Sequence, residues 1–191
     1  FARGGGVPGL LAVTDRSPAG TWALCAAYAR AVGCLRGGGW RTSFRAECVA
    51  DQFGEQAVLC GGVIELLQAA FDTLVDAGHD PANAYFECVH ELQLITSLLH
   101  RHGLAGMRAR ISPTAAYGGL TRGPRVIDDH VRGRLREVLA EIESGEFARE
   151  FLAAHDHPER GVAARREAEA RTRLNRAGER LQPRLQAFDG D

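Results

Sequence analysis

The sequence predicts a mainly α protein that opens with a β-α-β unit. Two observations carry the helical part. Apolar residues recur at helical spacing through long stretches beyond residue 50, and no strand-like run follows that point. A third observation carries the opening: two short apolar stretches flank a segment of helical spacing, the order in which an α/β domain closes.

Gly9-Leu10-Leu11-Ala12-Val13 reads as the first strand, ended by the turn residues Asp15-Arg16-Ser17-Pro18. A helix follows from Trp22 to Val32, with Thr21 or Ser17 as candidate cap and Gly33 as its stop. Gly37-Gly38-Gly39 is a loop, and Trp40 to Phe44 reads as a second strand. A long apolar helical pattern covers residues 51–78 and ends at Gly78. Pro81 suits the first turn of a helix, where its missing N–H loses nothing, so the next helix is expected from there to about Leu99, stopping near Gly103. Pro113, Gly118, Gly119, Gly123 and Pro124 crowd residues 112–124, which reads as mostly loop. Two amphipathic helices, 127–142 and 146–154, are split by Gly145, and a last, charge-rich helix covers 162–181. The change in character places a domain boundary near residue 48, with 1–48 as the end of a Rossmann-like domain and 49–191 as an all-helical one.

Composition narrows the function classes. The 191 residues are 45% apolar and 25% charged, which suits a packed domain and argues against a disordered tail. A net charge of −1 argues against a nucleic-acid binder that grips through bulk positive charge. All 23 basic residues are Arg, which reflects GC-rich coding more simply than a function. Cys25, Cys34, Cys48, Cys60 and Cys88 are odd in number and form no CxxC pair, so neither a zinc knuckle nor a disulfide framework is signalled. Free thiols in a reducing, cytoplasmic compartment are the expectation. No apolar run in the sequence reaches membrane-spanning length, so no membrane is expected as a partner. The chain begins at Phe1 without a signal-peptide pattern, and it reads as a piece of a longer protein.

Asp51 and Glu55 are four residues apart on one predicted helix, and Glu87 and Glu91 four apart on the next. That spacing puts each pair on one helix face. Two such pairs brought together repel unless cations neutralise them, and all-oxygen ligation suits Mg²⁺. Acid pairs are also common on solvated helix faces. Here they lie among Phe53, Ala57, Val58, Tyr85, Phe86, Val89 and Leu92, which argues for burial and hence for partners.

The run Asp51-Gln52-Phe53-Gly54-Glu55-Gln56-Ala57-Val58-Leu59-Cys60-Gly61-Gly62 resembles the D-L-F-G-E-Q-A-V-L-C-G-G signature of ketol-acid reductoisomerases. Ala84 to Leu92 is similar to that family's A-Y-F-E-C-L-H-E-L helix, and Phe147-Ala148-Arg149-Glu150 to its F-A-R-E segment. Gly106-Met107-Arg108, Ile111-Ser112, Ala115, Tyr117-Gly118 and Arg122 to Ile127 follow in the family's order, as in its short, class I form. The resemblance implies a knotted all-helical C-terminal domain, a fold that periodicity alone does not suggest. It implies the conversion of acetohydroxy acids to dihydroxy acids, by a 1,2-alkyl shift and then reduction with NADPH, in valine and isoleucine biosynthesis. It also implies two Mg²⁺ ions. Asp51 (bridging) and Glu55 match the first ligand pair. Glu87 and Glu91 match the second, which comes from the partner subunit of a homodimer. Ser112 matches a substrate-binding serine, Cys60, Ile111 and Ala115 match pocket residues, and Glu91 is also the candidate proton carrier.

Some of the family pattern is not in this sequence. The G-x-G-x-x-G cofactor fingerprint is absent, so no cofactor-binding residue is expected in this chain, and NADPH enters only through an N-terminal domain. Gly4-Gly5-Gly6 and Gly37-Gly38-Gly39 lack that spacing and read as loops. Pro113 and Ala116 replace the family's usual Asn and Glu around Ser112. His90 is expected to pack or to orient a ligand, Cys60 to pack in a core rather than react, and the Arg/Glu run 163–180 to be a solvated helix. His100/His102 and His155/His157 are not expected to chelate, because i and i+2 do not face together on a helix. A non-catalytic helical metal-binding or dimerisation module derived from the enzyme is the competing reading.

Overall fold

The computed structural model describes residues 8–155, 157 and 159–186. It divides into two compact units, Phe1–Glu55 and Gln56–Asp191.

In the first unit, strands β1 (Gly9–Leu11) and β2 (Gly39–Arg41) pair in parallel, with Leu10 opposite Trp40. Parallel neighbours need a crossover, and helix α1 (Thr21–Ala31) supplies it. Gly39 is required where the crossover returns, because a β carbon there would meet Leu35 Cδ2 at 2.7 Å and the Gly9 carbonyl oxygen at 3.1 Å. Neither Thr21 nor Ser17 caps α1. Its N-cap is Gly20 at φ 87°, while the Ser17 hydroxyl bonds Thr14 and the Thr21 hydroxyl bonds the Pro18 carbonyl. The second strand is shorter than expected, because Ser43 starts helix α2 (Phe44–Phe53) by accepting a bond from the Ala46 N–H at 3.1 Å. The boundary placed near residue 48 therefore falls inside a helix. Among the described residues, two short strands and the helices α1 and α2 give the unit little interior: Leu24 and Tyr28 are each 71% exposed.

In the second unit, helices α3 (Gly62–Asp76) and α4 (Pro81–Tyr85) precede α5 (Leu92–Arg108). Asp80 caps α4 by accepting from the Ala82 and Asn83 N–H groups, with Pro81 in its first turn as expected. Gly103, at φ 65° and ψ −178°, is non-helical and divides α5 into two helical pieces that meet at a kink, so the first piece stops where expected. Residues 112–124, read as loop, belong instead to helix α6 (Pro113–Val126). Ser112 and Pro113 form a cap and first turn that outweigh the glycines. Helices α7 (Asp129–Ser144) and α8 (Glu146–His155) meet at Gly145, φ 75°, as the sequence suggests.

The expected last helix is two, α9 (Val162–Ala170) and α10 (Arg173–Gln186). Only part of it is a solvated face, because α10 closes the core. Leu174, Ala177, Leu181 and Leu185 pack on Phe71, Ala84 and Tyr85 of α3 and α4. Gln182 Nε2 donates to the Tyr85 hydroxyl at 3.2 Å, and Arg173 Nη1 donates to Asp76 at 2.7 Å. Arg173 also lies 3.3 Å from Asp72 Oδ1, a charge contact without hydrogen-bond geometry.

One expectation about membranes changes. Helical residues run from Phe44 to Asp76, 33 residues with an 18-residue window of mean hydropathy 1.6, long and apolar enough to cross a membrane. Only 6% of that window is buried, although Phe71 near the end of the same run is 1% exposed.

Candidate metal centre

Both acid pairs are built on the same irregularity. Asp51 lies in the last turn of α2, and Glu55 in a π-helical turn, Gly54–Leu59, that follows directly. Glu87 lies in a second π turn, Phe86–His90, and Glu91 follows it. The Glu91 N–H donates to the Phe86 carbonyl, five residues back, at 3.1 Å. In an α-helix four residues advance about 400°, roughly 40° past a full turn. A π turn takes an extra residue to close, so four residues within it advance less than they do in an α-helix.

All four carboxylates are exposed, which corrects the expectation of burial. Among the described residues, no group of three or more His, Cys, Asp or Glu side chains comes close enough to hold a metal ion. The chain thus offers its acids as pairs. That donor set fits Mg²⁺, which takes one or two carboxylates and completes its shell with water and substrate oxygens.

The second turn is anchored by its neighbours. Ala84 and Tyr85, just before it, are buried. The His90 ring packs on Phe86 with centroids 4.7 Å apart. Burial pushes the Cys88 thiol pKa up, and the charge of Glu87 adds to the effect. Cys60 lies where the first turn joins α3 and is exposed, so it does not pack in a core as expected.

Ser112 is the N-cap of α6, and its hydroxyl oxygen accepts from the Ala115 N–H at 3.1 Å. This leaves the Ser112 O–H free to donate. Pro113 occupies the first helical position, where its missing N–H costs no intrahelical bond. Ile111 is half-buried, and Ala115 is exposed on the same turn. His100 and His102 are exposed on α5, and His157 approaches Glu159 at 3.4 Å on the surface.

Comparison with known proteins gives the family. The model of the ketol-acid reductoisomerase C-terminal domain matches residues 44–186, a span that holds both acid pairs and Ser112. The chain belongs to the ketol-acid reductoisomerase family. A solved structure of an NADH-preferring ketol-acid reductoisomerase from an uncultured archean superposes with a TM-score of 0.86 at 35% identity. That match covers 92% of this chain and 53% of the other, so the chain spans about half the length of this relative. The mainly helical architecture is that of the ketol-acid reductoisomerase C-terminal domain.

Two features of the site escaped the sequence reading. The π turns left no periodic signal, although Gly61-Gly62 at the exit of the first was visible. The Tyr85–Gln182 bond joins residues 97 apart, which spacing cannot show. No described strand-to-helix turn carries the glycines that cradle a pyrophosphate.

Proposed function

We propose that this chain is the helical part of a cytoplasmic ketol-acid reductoisomerase, which converts 2-acetolactate and 2-aceto-2-hydroxybutyrate to 2,3-dihydroxy acids in valine and isoleucine biosynthesis. The observation that carries the reading is the pair of carboxylate pairs, each at a π turn, within the span that matches the family. In this reading residues 49–191 form the catalytic helical domain, and residues 1–48 end a Rossmann-like domain that supplies NADPH.

Asp51 and Glu55 from one chain, and Glu87 and Glu91 from a second copy, would hold two Mg²⁺ ions. Bound there, Mg²⁺ acidifies the substrate hydroxyl and polarises its ketone. The Glu91 carboxylate takes and returns a proton at the substrate oxygens during the alkyl shift. Ser112 donates its free O–H to the substrate, and Cys60, Ile111 and Ala115 line the apolar side. A homodimer is supported by large exposed apolar side chains, among them Leu94 at 59%, Leu104 at 63% and Tyr117 at 67%.

Glu87→Gln tests the assignment in the protein that carries this chain. Calorimetric titration with Mg²⁺ is expected to show binding abolished, with cooperative thermal unfolding retained. Unchanged Mg²⁺ affinity overturns the ligand set. Mg²⁺ binding by the unaltered protein, without Mg²⁺-dependent turnover of 2-acetolactate with NADPH, would leave a non-catalytic metal-binding module.

A further inference from the structure

Glycines 61 and 62 follow the first π turn, and the backbone leaves room for nothing larger. A β carbon on Gly61 would overlap the Gln56 carbonyl oxygen, and one on Gly62 would overlap the Ala57 carbonyl oxygen. Gly61 has φ −109°, so its requirement is close approach rather than a left-handed conformation. Each obstacle is a backbone atom five residues back, the repeat of a π turn, and no side-chain rotation relieves it. Gly54 at the entrance of the same turn meets nothing within 4 Å. The turn is therefore tight at its exit only.

We infer that Gly61 and Gly62 are positioning residues that set the Glu55 carboxylate against Asp51 by letting the π turn close. This rests on the reading of Asp51 and Glu55 as Mg²⁺ ligands. Asp51 lies in regular helix before the inserted residue, and Glu55 lies within the turn. A methyl group at residue 61 must push the Gln56 carbonyl away. That opens the turn and rotates Glu55 about the helix axis relative to Asp51. Mg²⁺ demands near-octahedral oxygens at about 2.0–2.1 Å, so a displacement of a few tenths of an ångström is felt at once.

The test compares Gly61→Ala, Asp51→Asn and the unaltered protein that carries this chain, each titrated with Mg²⁺ alone and melted in EDTA. Gly61→Ala is expected to weaken Mg²⁺ binding on the order of 10–100-fold, as loss of an orienting partner does. Asp51→Asn is expected to weaken it at least as much. If Asp51→Asn weakens binding and Gly61→Ala lowers only the EDTA melting midpoint, the glycine is merely structural and the inference is overturned. If Asp51→Asn leaves Mg²⁺ affinity unchanged, the ligand reading itself fails. Should Gly61→Ala not fold, the unaltered protein carries the test through amide exchange, because coupling between two sites is reciprocal. Mg²⁺ is expected to slow exchange at the amides of Val58 to Gly62, and unchanged rates there overturn the inference.

Discussion

The two acid-bearing turns share a geometry but not a means of support. Neither turn contains a buried residue, and the one at Gly54–Leu59 closes through backbone contact at Gly61 and Gly62. The turn at Phe86–His90 has no glycine and follows Ala84 and Tyr85, 2% and 6% exposed, which pack on Phe71 and α10. One insertion is fixed by the sterics of its own chain and the other by a residue far away in sequence. Turns supported so differently should fail separately, since stability is distributed locally across a fold.

The largest effect expected is on the anchored turn. Phe71 is 1% exposed at the centre of the α3, α4 and α10 contact. Phe71→Ala should cost about 3–5 kcal/mol in urea unfolding. Amide exchange at Glu91, whose N–H closes the second turn, should accelerate, while exchange from Val58 to Gly62 proceeds through local opening and holds its rate. Equal acceleration at both would make the turns one cooperative unit and end the distinction.

A smaller effect bears on the anchor itself. A β carbon on Gly178 would sit 3.0 Å from Tyr85 Cε2 and 3.1 Å from its hydroxyl. Gly178→Ala gains up to about 1 kcal/mol of helix propensity. Overpacking against a buried ring costs about 1–3 kcal/mol. The expected net is a loss of about 1 kcal/mol in urea unfolding. A stabilised variant would show that Tyr85 yields easily and holds nothing in place.

Much of this contrast could not be read from the sequence, for physical reasons. Helix ends with a chemical signature were legible: the start at Pro81, the stop near Gly103, and Gly145. A π turn was not, because a four-residue acid spacing looks the same whether the helix closes at four residues or five. Residues 112–124 were misread because Gly118, Gly119 and Gly123 were weighed as breakers against the Ser112-Pro113 start. Helix α10 was misread because Arg173, Arg176 and Arg180 obscured the interleaved Leu174, Ala177 and Leu181. The acid pairs were legible as spacing, their exposure was not. Apolar neighbours at i±1 point to other faces of a helix and say little about the surroundings of the acid between them.

The smallest effect probes the entrance of the unanchored turn. Gly54 has φ −59° and ψ −44°, a conformation open to any L residue, and a β carbon there meets nothing within 4 Å. Gly54→Ala should therefore raise stability by about 0.4–1 kcal/mol, chiefly by reducing the freedom of the unfolded chain. The sign is opposite to that expected at Gly178, and the chemical change is identical. Melting in EDTA reads it without interference from bound metal. A rise at Gly54 would show that the turn is locked only from its exit, by Gly61 and Gly62. A fall would mean that the entrance is as tight as the exit, and the first turn would then be constrained at both ends by its own backbone.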